Sequence, residues 1–169
     1  MKKGESTCEQ ETFRKLFELH AEPVRNFVYY RSGDSGFAED CVQEAFIRLW
    51  KKCASVPVEN AKGFLFTVAK NLILDLVKHE KVKLKFQATK TKNATAEDPE
   101  FLLQEKEFKE KLEACINALP ENQRTVFLMN RIDKLKYREI AEMLGISQKA
   151  VEKRMHKALK FIREQIGNI

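Results

Sequence analysis

The chain has 169 residues, and its 31 Lys and Arg against 25 Asp and Glu give a formal net charge of +6. Its 43% apolar and 33% charged residues suit a folded chain rather than a disordered one. With 6 Gly and 4 Pro, it has few of the tight turns that a many-stranded sandwich or barrel needs.

The longest apolar run, Val126–Met129, falls far short of the roughly 18–20 residues of a membrane span. Residues 1–10 begin basic but lack the apolar stretch of a signal peptide. Membrane insertion is therefore not expected. Cys8, Cys41, Cys53 and Cys115 lie 33, 12 and 62 residues apart with no Cys-x-x-Cys pair. They read as reduced, mostly buried thiols of a cytoplasmic protein. His20, His79 and His156 fall in three separate segments, away from the short ligand spacings of a zinc site. No phosphate loop or nucleophile elbow is present. The sequence thus predicts no enzyme, catalytic residue, metal or cofactor.

Charge divides the chain in three. Residues 1–80 carry 12 basic and 12 acidic side chains; residues 81–98 carry 5 Lys against Glu97 and Asp98; residues 99–169 carry 14 basic and 11 acidic. The middle stretch has too little apolar surface to offset the entropy of ordering it and reads as a flexible basic linker between two small helical domains. The predicted fold is all-α.

Within residues 1–80, Phe13, Leu16, Phe17, Leu19, Val24, Phe27 and Val28 recur at helical spacing as a buried stripe, which Pro23 should kink or split. After Arg31–Gly36, Phe37, Cys41, Val42, Ala45, Phe46, Leu49 and Trp50 form a second stripe, capped by Asp34 or Ser35. Pro57 keeps Ala54–Asn60 out of helix. A third helix then starts near Asn60 and packs Phe64, Leu65, Val68, Ala69, Leu72, Ile73 and Leu76. Beyond the linker, Asp98-Pro99 reads as a helix start, Leu119-Pro120 as an interruption, and Glu121–Asn130 as another helix.

The sharpest local pattern is Tyr137–Val151. Counting from Tyr137, Ala141 is fifth, Gly145 ninth and Val151 fifteenth. A helix-turn-helix needs a small residue where its helices cross, a glycine at positive φ in the turn, and an apolar residue closing the core. Ser147 caps the second helix, which carries Lys149, Lys153, Arg154, Lys157, Lys160 and Arg163. Such a face suits phosphate and major-groove contacts.

Leu119–Phe127 followed by Tyr137–Arg154 resembles the −35-reading domain of bacterial sigma factors. Ala38–Trp50 resembles the family's polymerase-clamp-binding helix, and Lys62–Asp75 its −10 element helix, in the family's order. The small size matches the extracytoplasmic-function group, and Val151–Leu159 resembles its iron-citrate-type subgroup. The resemblance implies a protein that binds core RNA polymerase and promoter DNA, with an anti-sigma factor as a further partner.

Carried over by position, it assigns Asp40, Gln43 and Glu44 to the polymerase. Ser55, Val56, Pro57, Val58, Glu59 and Asn60, with Lys70 and Asn71, fall to the melted −10 strand. Ser147, Gln148, Lys149, Glu152, Lys153, Arg154 and Lys157 fall to the −35 element. Glu152 departs from the basic or small residue of many relatives; it repels phosphate but can accept from cytosine N4. The competing reading is a stand-alone helix-turn-helix regulator that binds operators as a dimer.

Overall fold

The computed structural model describes the backbone of residues 6–76 and 99–167, and side chains over 6–75 and 105–167. The expected linker, 81–98, lies outside the described residues. Among those described there are seven α-helices and no strand: α1 (Gln10–Ser32), α2 (Ser35–Lys51), α3 (Val58–Leu76), α4 (Pro99–Ala118), α5 (Glu121–Arg131), α6 (Tyr137–Leu144) and α7 (Gln148–Ile166).

Helix α1 runs through Pro23 without being split. The carbonyl that Pro23 cannot serve is that of Leu19, whose side chain is 61% exposed, so this side of the helix faces water. Gly33, at φ 70°, donates its N–H to Tyr29 O and ends the helix. Asp34 then caps α2, accepting from Phe37 N at 2.9 Å. This short reversal folds α2 back along α1, and α3 packs on both. Leu16, Val24, Phe27, Val28, Leu49, Leu65 and Ile73 are almost fully buried between the three helices. Each such side chain contributes roughly 1.5–3 kcal/mol by leaving water.

Three members of the expected stripes lie elsewhere. Phe17 is 46%, Leu19 61% and Trp50 49% exposed, because the shared surface of the three helices is narrower than the apolar stripe on α1 and α2. Helix α3 also begins at Val58, two residues before the expected Asn60. Pro57 supplies the first acceptor instead, its carbonyl taking the Asn60 N–H at 2.9 Å.

In the second half, α5, α6 and α7 surround Val126, Leu128, Met129, Ile140, Val151, Met155, Ala158 and Ile162, all buried. Gly145 sits at φ 64°, Ala141 and Val151 are 7% and 0% exposed, and Ser147 Oγ accepts from Ala150 N at 3.2 Å. The helix-turn-helix spacing is realised as the sequence requires.

The two halves share one buried cluster and meet where α1 packs on α5 and α3 on α6. Tyr30 Oη donates to Asp133 Oδ1 at 2.8 Å, and Asn26 Nδ2 donates to the same oxygen at 2.9 Å. Arg31 forms an ion pair with Glu121. Buried Arg124 donates to Tyr30 O from Nε and to Asn117 O and Leu119 O from Nη1. Burial lowers the Arg124 pKa, an effect that the nearby Glu121 opposes.

The cysteines depart from expectation. Cys8 and Cys53 form a disulfide, while Cys41 and Cys115 are free. The partners are 45 residues apart in sequence. They meet because the end of α2 returns beside the start of α1, a proximity that no local spacing reveals.

Candidate polymerase and nucleic-acid surfaces

Asp40, Gln43 and Glu44 occupy one face of α2, since positions i, i+3 and i+4 are neighbours on a helix. Asp40 and Gln43 are exposed, and Glu44 accepts from Arg48 Nε at 2.6 Å. Beside them lies a feature that the sequence reading missed. Phe13, Phe17, Phe46, Ile47 and Trp50 line an open groove of about 530 Å³, with Gln43 on its rim. Phe13 meets Trp50 edge-on at 5.0 Å between ring centroids, and Phe17 meets Phe46 at 4.9 Å. With Phe17, Ile47 and Trp50 each nearly half exposed, this is a contiguous apolar patch of the kind that marks interaction surfaces. Its signal in the sequence was the i, i+4 aromatic pairs on each helix, which also suit a core.

The stretch expected to hold a base is only partly loop. Ser55 ends a 3₁₀ turn (Cys53–Ser55), Val56 and Pro57 lead onward, and Val58, Glu59 and Asn60 form the first turn of α3. Val56 is buried and its carbonyl accepts from Thr7 Oγ1 at 2.7 Å, so its side chain is not offered to solvent. Ser55, Pro57, Glu59 and Asn60 are exposed. Lys70 and Asn71 are exposed three turns further along α3, so they share a helix with the loop's end but not its immediate surroundings. Phe64 packs against the core.

On α7, Lys149, Lys153 and Lys157 recur every fourth residue and are all exposed, as are Ser147, Gln148 and Glu152. They form a cationic strip along one face, with Val151, Met155, Ala158 and Ile162 buried on the other. Glu152 is engaged at home: Gln148 Nε2 donates to its Oε1 at 3.0 Å. Arg154 points elsewhere. It lines a cavity of about 110 Å³ between the two halves, together with Arg31 and Lys70. A residue expected at −35 and one expected at −10 therefore face the same small space.

Among the described residues, no cluster of three His, Cys, Asp or Glu is placed to hold a metal. No helix there is long and apolar enough to cross a membrane.

Comparison with known proteins gives two family matches, Sigma-70 region 2 over residues 16–82 and Sigma-70, region 4 over residues 109–162. The chain is 27% identical to the ECF RNA polymerase sigma factor SigW of Bacillus subtilis, covering all of this chain and 94% of that one. It is 28% identical to SigE of Mycolicibacterium smegmatis over 90% of this chain, but spans only 61% of that relative's length. With the ferric citrate uptake sigma factor FecI of Escherichia coli it shares 28% identity over 88% of this chain and 87% of that one. These near-equal identities single out no subgroup. The fold matches that of CnrH, solved with the cytosolic domain of CnrY, at TM-score 0.61 and 19% identity over 92% of this chain and 88% of that one. It also matches the sigma factor RpoE of Bartonella quintana, solved with the anti-sigma factor NepR, at TM-score 0.60 and 19% identity over 91% and 96%. With region 2 on the three-helix half and region 4 on the helix-turn-helix half, in that order, the chain belongs to the extracytoplasmic-function group of RNA polymerase sigma factors.

Proposed function

We propose that the chain binds core RNA polymerase in the cytoplasm and directs it to promoters, with residues 1–80 holding the clamp and the melted −10 strand and residues 99–169 reading −35 as duplex. The observation that carries this reading is the pairing of a region 2 match with a region 4 match in one chain. A stand-alone dimeric regulator would leave the region 2 half without a role.

Asp40 and Gln43 meet the polymerase clamp, and Glu44 joins them by exchanging Arg48 for a partner on the clamp. The apolar groove beside them buries a helix of the same partner. Rim polarity then sets register while the aromatic floor supplies affinity.

Extruding a base from the −10 element costs a few kcal/mol, less in a strand already melting. The exposed groups of the 55–60 turn and Lys70 with Asn71 offset that cost by contacts to base and backbone. On the −35 side, Lys149, Lys153 and Lys157 bind phosphates, which fixes register and makes affinity fall with salt. Ser147 and Gln148, at the start of α7, face base edges. Glu152 reads cytosine N4 only after giving up its bond from Gln148. Catalysis belongs to the polymerase, so the chain acts as a regulatory factor without a cofactor of its own. An anti-sigma protein holds it inactive.

Core-dependent transcription in vitro tests the reading. Sigma-free core polymerase, the chain and fragmented genomic DNA are incubated, and the 5′ ends of the products are sequenced. Defined starts sharing −35 and −10 motifs are expected. Their absence, with specific duplex binding by the chain alone, favours the stand-alone regulator.

A further inference from the structure

The disulfide sits at a junction rather than in a core. Cys8 and Cys53 are both half-buried, whereas Cys41 lies in the core at 1% exposure. Cys53 opens the 3₁₀ turn that connects α2 to α3. Next to the bond, Thr7 Oγ1 donates to Val56 O at 2.7 Å, with Thr7 2% and Val56 9% exposed. Ser55 N and Val56 N both donate to Lys52 O, at 2.9 and 3.1 Å. Residues 6–8 are thus tied to the 52–56 turn by one covalent bond and one buried hydrogen bond.

We propose that Cys8 and Cys53 form a reversible redox modification site, closed by hydroperoxides and reopened by thiols, whose state sets the freedom of the turn leading into α3. Two observations support it. The Cα atoms of the bonded pair are 5.0 Å apart, inside the usual disulfide range. Cys41, the other cysteine of this half, is 1% exposed, and burial pushes its thiol up to about 11. It is a poor competitor, because the thiolate is the reacting form. In the cytoplasm, where the function proposed above places the chain, such a disulfide is transient and reports the redox state.

The chemistry balances with a hydroperoxide as the oxidant. One thiolate attacks the outer peroxide oxygen, the O–O bond breaks, and the departing alkoxide takes the thiol's proton to leave as an alcohol. The resulting sulfenic acid is attacked at sulfur by the second thiolate, its hydroxyl leaving with the second proton as water. The sulfur pair gives up two electrons and the peroxide accepts them. Two exchanges with an external thiol reverse the step and yield that thiol's disulfide.

The consequence for promoter opening rests on the function proposed above; the bond chemistry and the restraint of the turn do not. Closing the bond pre-forms the 55–60 turn, so less ordering remains when a −10 base arrives. The oxidised chain then holds single-stranded −10 DNA and initiates about 3- to 10-fold better than the reduced chain.

The test uses the full chain, reduced and then treated with one equivalent of hydrogen peroxide. Differential alkylation with peptide mapping is expected to find the Cys8–Cys53 bond within minutes, with Cys41 and Cys115 still alkylatable. Amide hydrogen exchange over residues 52–60 is expected to slow in the oxidised chain, and not in Cys8→Ser given the same treatment. Oxidation at Cys41 or Cys115 instead, or equal exchange in both states, overturns the proposal. Transcription with core polymerase is then compared between the two states. Equal transcript yield in both, despite slowed exchange, removes the effect on initiation. Absence of transcripts in every state counts against the sigma function, while mapping and exchange still decide the redox site.

Discussion

Tyr30 and Asp133, 103 residues apart, are joined across the seam between the two halves by a 2.8 Å hydrogen bond. Asn26 serves the same carboxylate oxygen, so the acceptor keeps one donor when Tyr30 is removed. Tyr30→Phe is therefore expected to cost about 1 kcal/mol. Urea unfolding, with the slope held against wild type, measures it; a neutral result would show that the Tyr30 hydroxyl adds nothing to the seam beyond what Asn26 already gives Asp133.

The same carboxylate carries a pH signature. Burial pushes the Asp133 pKa up from the usual 3.8, and the hydrogen bonds from Tyr30 and Asn26 pull it back only partly. A carboxyl whose folded pKa is raised favours the folded state most when protonated. Its contribution is full below the unfolded value and is lost as pH rises through the raised folded value. Relative to wild type, Asp133→Asn should therefore gain stability as pH climbs through that window and then level off. Paired thermal melts at several pH values check this, and a difference that stays flat with pH speaks against it.

Lys157 is exposed at the far end of the cationic strip on α7, so its removal leaves the core alone. Lys157→Ala should weaken −35 duplex binding across sequences and reduce the salt slope of log K by about 1. Titrations at several salt concentrations read the slope directly; an unchanged slope takes Lys157 off the phosphate.

On α2, Asp40→Arg combined with Gln43→Ala should abolish co-purification with core polymerase while leaving the helical circular dichroism intact, since both residues are exposed. Trp50→Ala, at the groove, should weaken the same association by about 2 kcal/mol or more if it is an interface anchor. Full binding by the first variant removes the clamp assignment, and full binding by the second leaves the groove unused.

Two glycines give opposite expectations. Gly145 is at φ 64° with nothing within 4 Å of an added Cβ, so Gly145→Ala is resisted by the backbone alone and should cost about 1–2 kcal/mol. Gly63 lies inside α3, also with nothing within 4 Å of an added Cβ. Gly63→Ala should stabilise by about 0.5–1 kcal/mol, because alanine loses less freedom in a helix. Thermal unfolding of the two variants gives the signs.

What the sequence disclosed was what short-range geometry dictates. Ala141, Gly145, Ser147 and Val151 could be read because a helix-turn-helix fixes them within fifteen residues. Asp34 as a cap was legible for the same reason. Relationships set by packing were not: the Cys8–Cys53 pair, the Tyr30–Asp133 bond and the groove under Trp50 depend on how separate helices lie against one another. Apolar periodicity also could not tell a core face from an apolar docking face, which is why Phe17 and Trp50 were expected inside. Pro23 misled because a proline's missing hydrogen bond matters less where the freed carbonyl faces water.

The small cavity shared by Arg31, Lys70 and Arg154 sets a geometric requirement. Elements centred 25 base pairs apart lie roughly 85 Å apart along a duplex, far beyond what side chains lining one cavity can span. On the proposed function, Lys70 and Arg154 serve their two targets only after the halves have parted. The 22 residues between Leu76 and Pro99 reach at most about 80 Å when extended, and the width of the two halves covers the remainder. Every contact across the seam is thus subtracted from promoter affinity, tenfold for about each 1.4 kcal/mol that closure is favoured. A variant that loosens the seam is less stable and, by the same free energy, readier to engage DNA.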